Sequence, residues 1–483
     1  MITRTRALII LGTPALVLVT VVPLLYWYAR TPPNEFVAWA RQNRVALRTP
    51  VPDDDFSDME PLKKAVGDAR VVALGEDSHG AREFFQLKHR MLEFLVKEMG
   101  FTAFAIEASL VDAFKLDEYV LNGTGRPEEL LAGLGFWTWD TEEVLALVKW
   151  MRHHNEAAAH GRKIRFYGID MQNPVPAIRM ALAFLERVDR PFALKLTPVL
   201  MPETPDTLEG RRALAKKYVA MSLEDYKSLN RTIDDMISGF RANRESYVKS
   251  SSATEWDAAF RAAKVASQYV EFRAAALGHV WGIKLNRRDK AMAENLLWCL
   301  DREGPEGRVV LWAHNGHISR VSSYPGILRF MGAHLDGALG KKMLVVGLVF
   351  NKGTFQAMNF VRAEGEGDKK TRPTLEAFTV GPAEQGTLEG TLARVGSPLY
   401  FLDLRNAPAW GPVHRWLWWP HRASSLSAAF WGTRDYSFLC TKMAYDALLY
   451  VEEISRARPN PAIKISDKQS NNHQDTRAQR PKT

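Results

Sequence analysis

Short apolar runs of strand length alternate with helical stretches through most of this chain. The runs at residues 70–75 (RVVALG), 102–106 (TAFAI), 164–169 (IRFYGI), 308–313 (RVVLWA), 343–350 (MLVVGLVF) and 398–402 (PLYFL) predict strands. Most of those before residue 314 are continuous rather than alternating, which suits strands buried on both faces of a parallel sheet. Between the first two, Phe84, Leu87, Met91, Phe94, Leu95 and Met99 mark one helical face, with Arg82, Gln86, His89, Glu93 and Lys97 on another. Gly100 is its stop signal. A second helix is expected to open at Asp140, whose spacing to Glu143 allows a capping box. From about residue 205 to 298 no strand pattern occurs, and Leu223, Tyr226, Leu229, Ile233, Met236, Phe260, Ala263, Val270 and Phe272 recur at helical spacing.

The pattern therefore predicts an α/β fold, a mostly parallel central sheet flanked by helices, with an inserted all-helical subdomain. Its core covers 56–204 and 299–455, the helical insertion or cap 205–298, and a connector 31–55 precedes it. A polar, basic tail over 456–483 has the composition of disorder.

Residues 7–29 (ALIILGTPALVLVTVVPLLYWYA) carry no charge. About 20 apolar residues suffice to span a bilayer, and a cleaved signal peptide usually has an apolar region of only about 7–15. Arg4 and Arg6 precede the stretch and Tyr26, Trp27 and Tyr28 close it. The expectation is one N-terminal transmembrane helix over residues 1–30, a signal-anchor in the lipid bilayer. This makes a single-pass membrane protein with an extracytoplasmic, periplasmic body.

The formal net charge of +9 shrinks on inspection. Arg4, Arg6 and Arg30 belong to the terminal segment, and seven Lys or Arg against Asp467 and Asp475 belong to the tail, so the remaining body is close to neutral. No basic stripe interleaved with aromatics is present, which argues against a nucleic-acid partner. Cys299 and Cys440 fit no metal or redox spacing.

The chemistry lies after the strands. Run 70–75 leads into Glu76-Asp77-Ser78-His79-Gly80, run 102–106 into Glu107, run 164–169 into Asp170, and run 308–313 into His314-Asn315-Gly316-His317. Open parallel sheets bind ligands at the carboxyl ends of their strands, so four such ends offer carboxylates and imidazoles to one crevice. Ser78 or Asp77 is expected to cap the next helix, beside which an anion would be stabilised. Hydrolysis by a general base follows: a neutral imidazole takes a proton from water, a carboxylate orients it, and a second imidazole or the helix terminus meets the oxyanion. No GxSxG elbow, HExxH or Walker A loop occurs.

The ordered set Gly75-Glu76-Asp77-Ser78-His79-Gly80, Lys88-His89-Arg90, Ala105-Ile106-Glu107, Trp139-Asp140-Thr141-Glu142, Tyr167-Gly168-Ile169-Asp170-Met171-Gln172 and Ala313-His314-Asn315-Gly316-His317 resembles the erythromycin esterase family over roughly residues 60–455. The resemblance implies metal-independent hydrolysis of an ester or macrolide lactone, the chemistry of macrolide resistance, without a cofactor. It places the catalytic histidine on His79, acidic partners on Glu76 and Glu107, and a second histidine pair on His314 and His317. Arg90, Lys88, His89, Trp137, Trp139 and Asp170 are assigned to substrate binding. Two other readings use the same residues. One is a metal-dependent hydrolase on the Glu/His cluster; the other is an anchored, non-catalytic binder of a hydrophobic small molecule.

Overall fold

The computed structural model describes residues 33–53, 55–157, 162–203, 208–277, 281–322, 328–359 and 374–460. Twelve strands occur among them: β1 Val45–Ala46, β2 Val71–Leu74, β3 Ala103–Ser109, β4 Arg165–Asp170, β5 Val309–Trp312, β6 Met343–Asn359, β7 Thr374–Val380, β8 Leu399–Asp403, β9 Pro420–Ser424, β10 Ala429–Phe430, β11 Tyr436–Cys440 and β12 Ala447–Ile454. The main sheet runs β1-β8-β12-β6-β2-β5-β3-β4, with β7 and β10 paired to the long strand β6.

This sheet is mixed, which corrects the mostly parallel expectation. Pairs from β12 to β4 are parallel, but β8 runs antiparallel to β12 and to β1, and β7 antiparallel to β6. The antiparallel members lie late in the chain, where β7 carries alternating exposed positions and gave no continuous apolar run. In the centre the continuous runs have a clear cause. Val72, Leu74, Phe104, Ile106, Val310 and Trp312 face one core, and Val71, Ala73, Ala103, Ala105, Val309 and Leu311 face the other. Each strand is dry on both sides because helices cover both.

The membrane arrangement is also corrected. No helix among the described residues is long and apolar enough to cross a membrane. Residues 1–30, where the anchor was read, and most of the basic tail lie outside the described residues. A single-pass membrane protein with a periplasmic body, and a bilayer partner held through an N-terminal helix, are therefore not supported.

The helix Arg82–Met99 ends at Gly100, whose φ of 67° closes the last turn in the left-handed region. Its polar side chains are only partly solvated: Lys88, His89, Arg90 and Glu93 are buried, while Lys97 is exposed. The helix expected at Asp140 begins instead at Glu142. Thr141 Oγ1 accepts the Val144 N–H there, while Asp140 accepts from Asn460 Nδ2. From Pro174 to Arg302 the described residues form helices only, and Tyr226, Leu229, Ile233, Met236, Phe240, Ala263 and Val270 make their own core. The last of these helices, Trp281–Arg302, returns to the sheet through Met292, Leu296 and Cys299.

Two glycines set the loop that leaves β2. A Cβ on Gly75 would lie 2.0 Å from Asn315 Oδ1, and one on Gly80 would lie 2.0 Å from the Gln356 carbonyl of β6. Neither obstacle at Gly80 is a side-chain end, since the Gln356 N is 2.6 Å away as well. Gly80→Ala is therefore expected to cost about 1–3 kcal/mol by overpacking, measurable by urea unfolding, and to displace His79 with the loop.

Candidate active site

Strands β2, β5, β3 and β4 are consecutive in the sheet. With neighbours about 4.8 Å apart, their four carboxyl ends span only about 15 Å, so the acids and imidazoles at or just beyond those ends share one edge. A register shift in β3 between Ile106 and Ser109 interrupts the ladder around Glu107, a place where bulges re-aim side chains.

At the β2 end, His79 Nδ1 lies 2.7 Å from Glu76 Oε1. The other carboxylate oxygen of Glu76 accepts from Lys88 Nζ at 2.6 Å and from Trp312 Nε1 at 2.8 Å. Glu76 is wholly enclosed. Burial alone would favour its neutral form, but the Lys88 ammonium and the His79 hydrogen bond overcome it and hold the carboxyl below its ordinary value. Burial works the other way on Lys88, pushing the ammonium down to about 8 against the pull of Glu76. With Glu76 ionised, Nδ1 of His79 carries the proton and Nε2 is the basic atom. None of the described hydrogen bonds engages that atom. The Trp139 ring meets His79 edge-on at 5.8 Å, fixed by its own Nε1 donating to the Glu107 carbonyl at 3.0 Å.

At the β3, β4 and β5 ends a second cluster forms around Arg288, from the helix Trp281–Arg302. Arg288 Nη2 donates to Glu107 Oε1 at 2.6 Å and to Asp170 Oδ2 at 2.7 Å, and Nη1 lies 3.0 Å from His317 Nε2. His317 Nδ1 lies 2.8 Å from Asp289 Oδ1. Glu107 Oε2 accepts the His314 backbone N–H at 3.0 Å. Burial resists ionisation of Glu107, yet His317, Arg288 and His79 around it depress its proton affinity strongly. Burial likewise resists charging of His317, but Asp289 and Glu107 outweigh it and raise the ring's affinity for a proton. The 3.0 Å approach of Arg288 Nη1 suits only the neutral ring, so protonation of His317 requires that guanidinium edge to move aside.

His314 is different. Its Nδ1 accepts from Gly316 N at 3.1 Å, so its proton sits on Nε2, which donates to the Leu426 carbonyl at 2.5 Å. Burial, with His79 and His317 nearby, pushes the ring down to about 4. It is a neutral imidazole with both nitrogens engaged, 5.1 Å centroid to centroid from His79.

The structure thus brings His79, Glu76, Glu107, His314, His317, Lys88, Trp139 and Asp170 together. Arg90 is elsewhere: it is fully buried, pairs with Asp58 through both terminal nitrogens at 2.6 and 2.9 Å, and ties the 49–58 segment to its helix. His89 pairs with Glu93 one turn on and lies against Trp150. Trp137 is half-buried, two residues before Trp139. The expected cap by Ser78 or Asp77 is not formed, because the helix starts at Arg82 with Ala81 before it and no side-chain cap. Ser78 Oγ accepts from Gly80 N, and Asp77 Oδ1 from Leu426 N.

Arg288 and Asp289 were missed in the sequence, where they fall in the stretch read only as part of the helical insertion. A signal was present. Arg288, Met292, Asn295, Leu296 and Cys299 share one face at 3.6-residue spacing, and the last four of them are fully buried. Among the described residues no group of three or more His, Cys, Asp or Glu is arranged to hold a metal ion.

With this geometry in view, the chain was compared with known proteins. The family model described as erythromycin esterase matches residues 96–454, a span that starts after Glu76, His79 and Lys88. The chain is 25% identical over 398 residues to erythromycin esterase type II from Escherichia coli, covering 77% of this chain and 90% of that one. It is 22% identical over 421 residues to a putative hydrolase from Bacillus subtilis (strain 168), with 82% and 86% covered. The fold resembles a Bacillus cereus protein of known crystal structure, with TM-score 0.75, 24% identity, and 88% and 98% covered. It also resembles a mutant erythromycin esterase solved in its open conformation, with TM-score 0.63, 18% identity, and 84% and 96% covered.

Proposed function

Because the chain belongs to the erythromycin esterase family of hydrolases, we propose that His79, oriented by Glu76, deprotonates the water that attacks an ester or macrolactone carbonyl. The observation that carries this reading is the 2.7 Å Glu76–His79 contact, with the second Glu76 oxygen already taken by Lys88 and Trp312. A carboxylate so saturated is an orienting group for the imidazole and not itself the base.

In the proposed step, water oxygen bonds to the carbonyl carbon while its proton passes to His79 Nε2. The carbonyl π-pair moves to oxygen, giving a tetrahedral oxyanion. Collapse breaks the carbon–oxygen ester bond, and the leaving alkoxide takes the same proton back from the His79 imidazolium, leaving one acid, one alcohol and a neutral His79. Neither other imidazole is placed to donate: His317 Nε2 accepts from Arg288, and His314 is held neutral with its Nε2 proton on the Leu426 carbonyl. Glu107 interacts electrostatically with His79 and steadies the imidazolium.

The deciding experiment incubates the purified full-length protein with macrolactones and simple esters, with and without chelator. The expected result is a product heavier by one water, unaffected by chelator. Saturable binding with no mass change, or activity that returns only with one metal, would overturn the reading. Glu76→Gln should lower kcat about 10²- to 10⁴-fold, because an amide can present its NH₂ to Nδ1 and leave the basic nitrogen facing the wrong way.

A further inference from the structure

Beyond β12 the chain runs on through residues 455–460, which pass between the starts of two helices. In strand-like backbone the N–H and C=O of one residue project to the same edge, and neighbouring residues project to opposite edges. Ser455 and Ala457 serve one edge: the Ser455 carbonyl accepts the Arg82 N–H at 2.8 Å, and Ala457 N donates to the Gly80 carbonyl at 2.9 Å. Arg458 and Asn460 serve the other: the Arg458 carbonyl accepts the Glu142 N–H at 2.8 Å, and Asn460 N donates to the Asp140 carbonyl at 3.1 Å. Ala81 with Arg456, and Thr141 with Pro459, are the antiparallel partners at the centres of these two pairings.

The same clasp is built twice. A helix start leaves its first N–H groups without intrahelical partners, and the helix Arg82–Met99 has no side-chain cap. Ser455 supplies a carbonyl to Arg82, while its own N–H and hydroxyl donate to the two carboxylate oxygens of Glu83, each at 2.6 Å. Arg458 does the same for the helix Glu142–Ala157. Its carbonyl takes the Glu142 N–H, and its own N–H goes to Glu143 Oε2 at 3.1 Å. Asn460 closes the segment, 2% exposed, with Nδ2 donating to Asp140 Oδ1 at 2.8 Å and to the Glu128 carbonyl at 3.1 Å. His79 stands three residues before the first helix and Trp139 three before the second, and their rings meet edge-on at 5.8 Å.

We propose that residues 455–460 form a positioning strap, locked by Asn460, that joins the two helix starts and sets the gap between His79 and Trp139. Glu76 orients the His79 ring and the Glu107 carbonyl holds Trp139; the strap fixes these two supports relative to each other. The direct link between the helix starts is loose, with Arg82 Nε 3.6 Å from Glu143 Oε1. The coupling is independent of the hydrolytic assignment; only its consequence for turnover rests on His79 being the base. A misplacement of about 1 Å at a reacting group can cost about 10²-fold in rate. Asn460→Ala, which loosens one end of the strap, should lower kcat about 10-fold with KM little changed.

The test compares Asn460→Ala in the full chain with Tyr247→Phe, a control that loses a bond to Asp189 within the helical insertion. Kinetics are read beside the ¹³Cε1 signal of the His79 ring, identified by its absence in His79→Ala. The ring signal should move and kcat should fall in Asn460→Ala alone. A folded Asn460→Ala with the wild-type ring signal would overturn the strap, and a moved signal with unchanged kcat would overturn its link to turnover. Should that variant fail to fold, amide exchange of wild type decides: the N–H groups of Arg82, Glu142, Ala457 and Asn460 should open as one unit. Independent opening of Arg82 and Glu142 would refute the coupling. Ring signal and exchange need no substrate, so a chain that hydrolyses no ester leaves both readouts in force.

Discussion

Replacing His79 with alanine is expected to lower kcat by about 10⁴-fold, the upper range for loss of a positioned general base, with KM changed far less. The ring supplies the one imidazole nitrogen in the cluster that is basic and outside the described hydrogen bonds. His314 cannot substitute, because Gly316 and Leu426 occupy both of its nitrogens. His317 cannot either, because Asp289 and Arg288 hold it. Folding should survive. Glu76 remains bound to Lys88 and Trp312, and His79 contributes an edge contact to Trp139 rather than a place in the apolar core. The expected loss of stability is within about 2 kcal/mol. Steady-state kinetics beside urea unfolding checks both halves, and an alanine variant that is folded and fully active would end the assignment of His79.

Arg288→Met should have the largest effect on stability, about 3–5 kcal/mol. The guanidinium is the cation shared by Glu107 and Asp170, both nearly inaccessible. Removing one member of a buried ion network leaves charge without compensation, and the cost is that uncompensated charge rather than the attraction lost. Two consequences follow. The variant's remaining carboxyls should bind protons more tightly, so its stability deficit should grow as pH rises from 5 to 8. Adding Asp170→Asn should recover part of the deficit, a coupling that a double-mutant cycle measures. Additive losses would place Arg288 outside the network.

The two clusters are bridged by Glu107. Its side chain meets Arg288 and the His314 backbone N–H, and its carbonyl takes the Trp139 indole that walls His79. That arrangement explains why one acid on β3 can influence both imidazoles, and why the helical segment Pro174–Arg302 is not a mere appendage. Its last helix carries Arg288 and Asp289 into the crevice.

Much of this was legible from residue order. The central strands betrayed themselves as unbroken apolar runs because each is covered on both faces, and the acids and histidines directly after them could only collect at one edge of a sheet. Glu76, His79, Glu107, Asp170, His314 and His317 were readable on that ground, and short-range rules found the stop at Gly100. The sequence also misled where one-dimensional rules compete with burial. Lys88, His89 and Arg90 were read together as substrate-binding residues, yet only Lys88 pairs with Glu76 at the crevice, while His89 pairs with Glu93 and Arg90 with Asp58. Asp140 looks like a cap, but Thr141 takes that role. The apolar stretch at residues 7–29 reads as a membrane span and lies outside the described residues, among which no helix is long and apolar enough to be one.

What the sequence by itself determined is local: the period of each element, the breakers between them, and which chemistry follows each strand. Which groups meet was decided by the tertiary structure alone. Arg288 reaches Glu107 and Asp170 across 181 and 118 residues, and Leu426 reaches His314 across 112. Such pairings leave no periodic trace, because a charge is tolerated inside only where the folded chain brings its partner. The surroundings of two histidines depend on the same distant contacts: Leu426 takes the Nε2 proton of His314, while Asp289 and Glu107 draw His317 towards a proton.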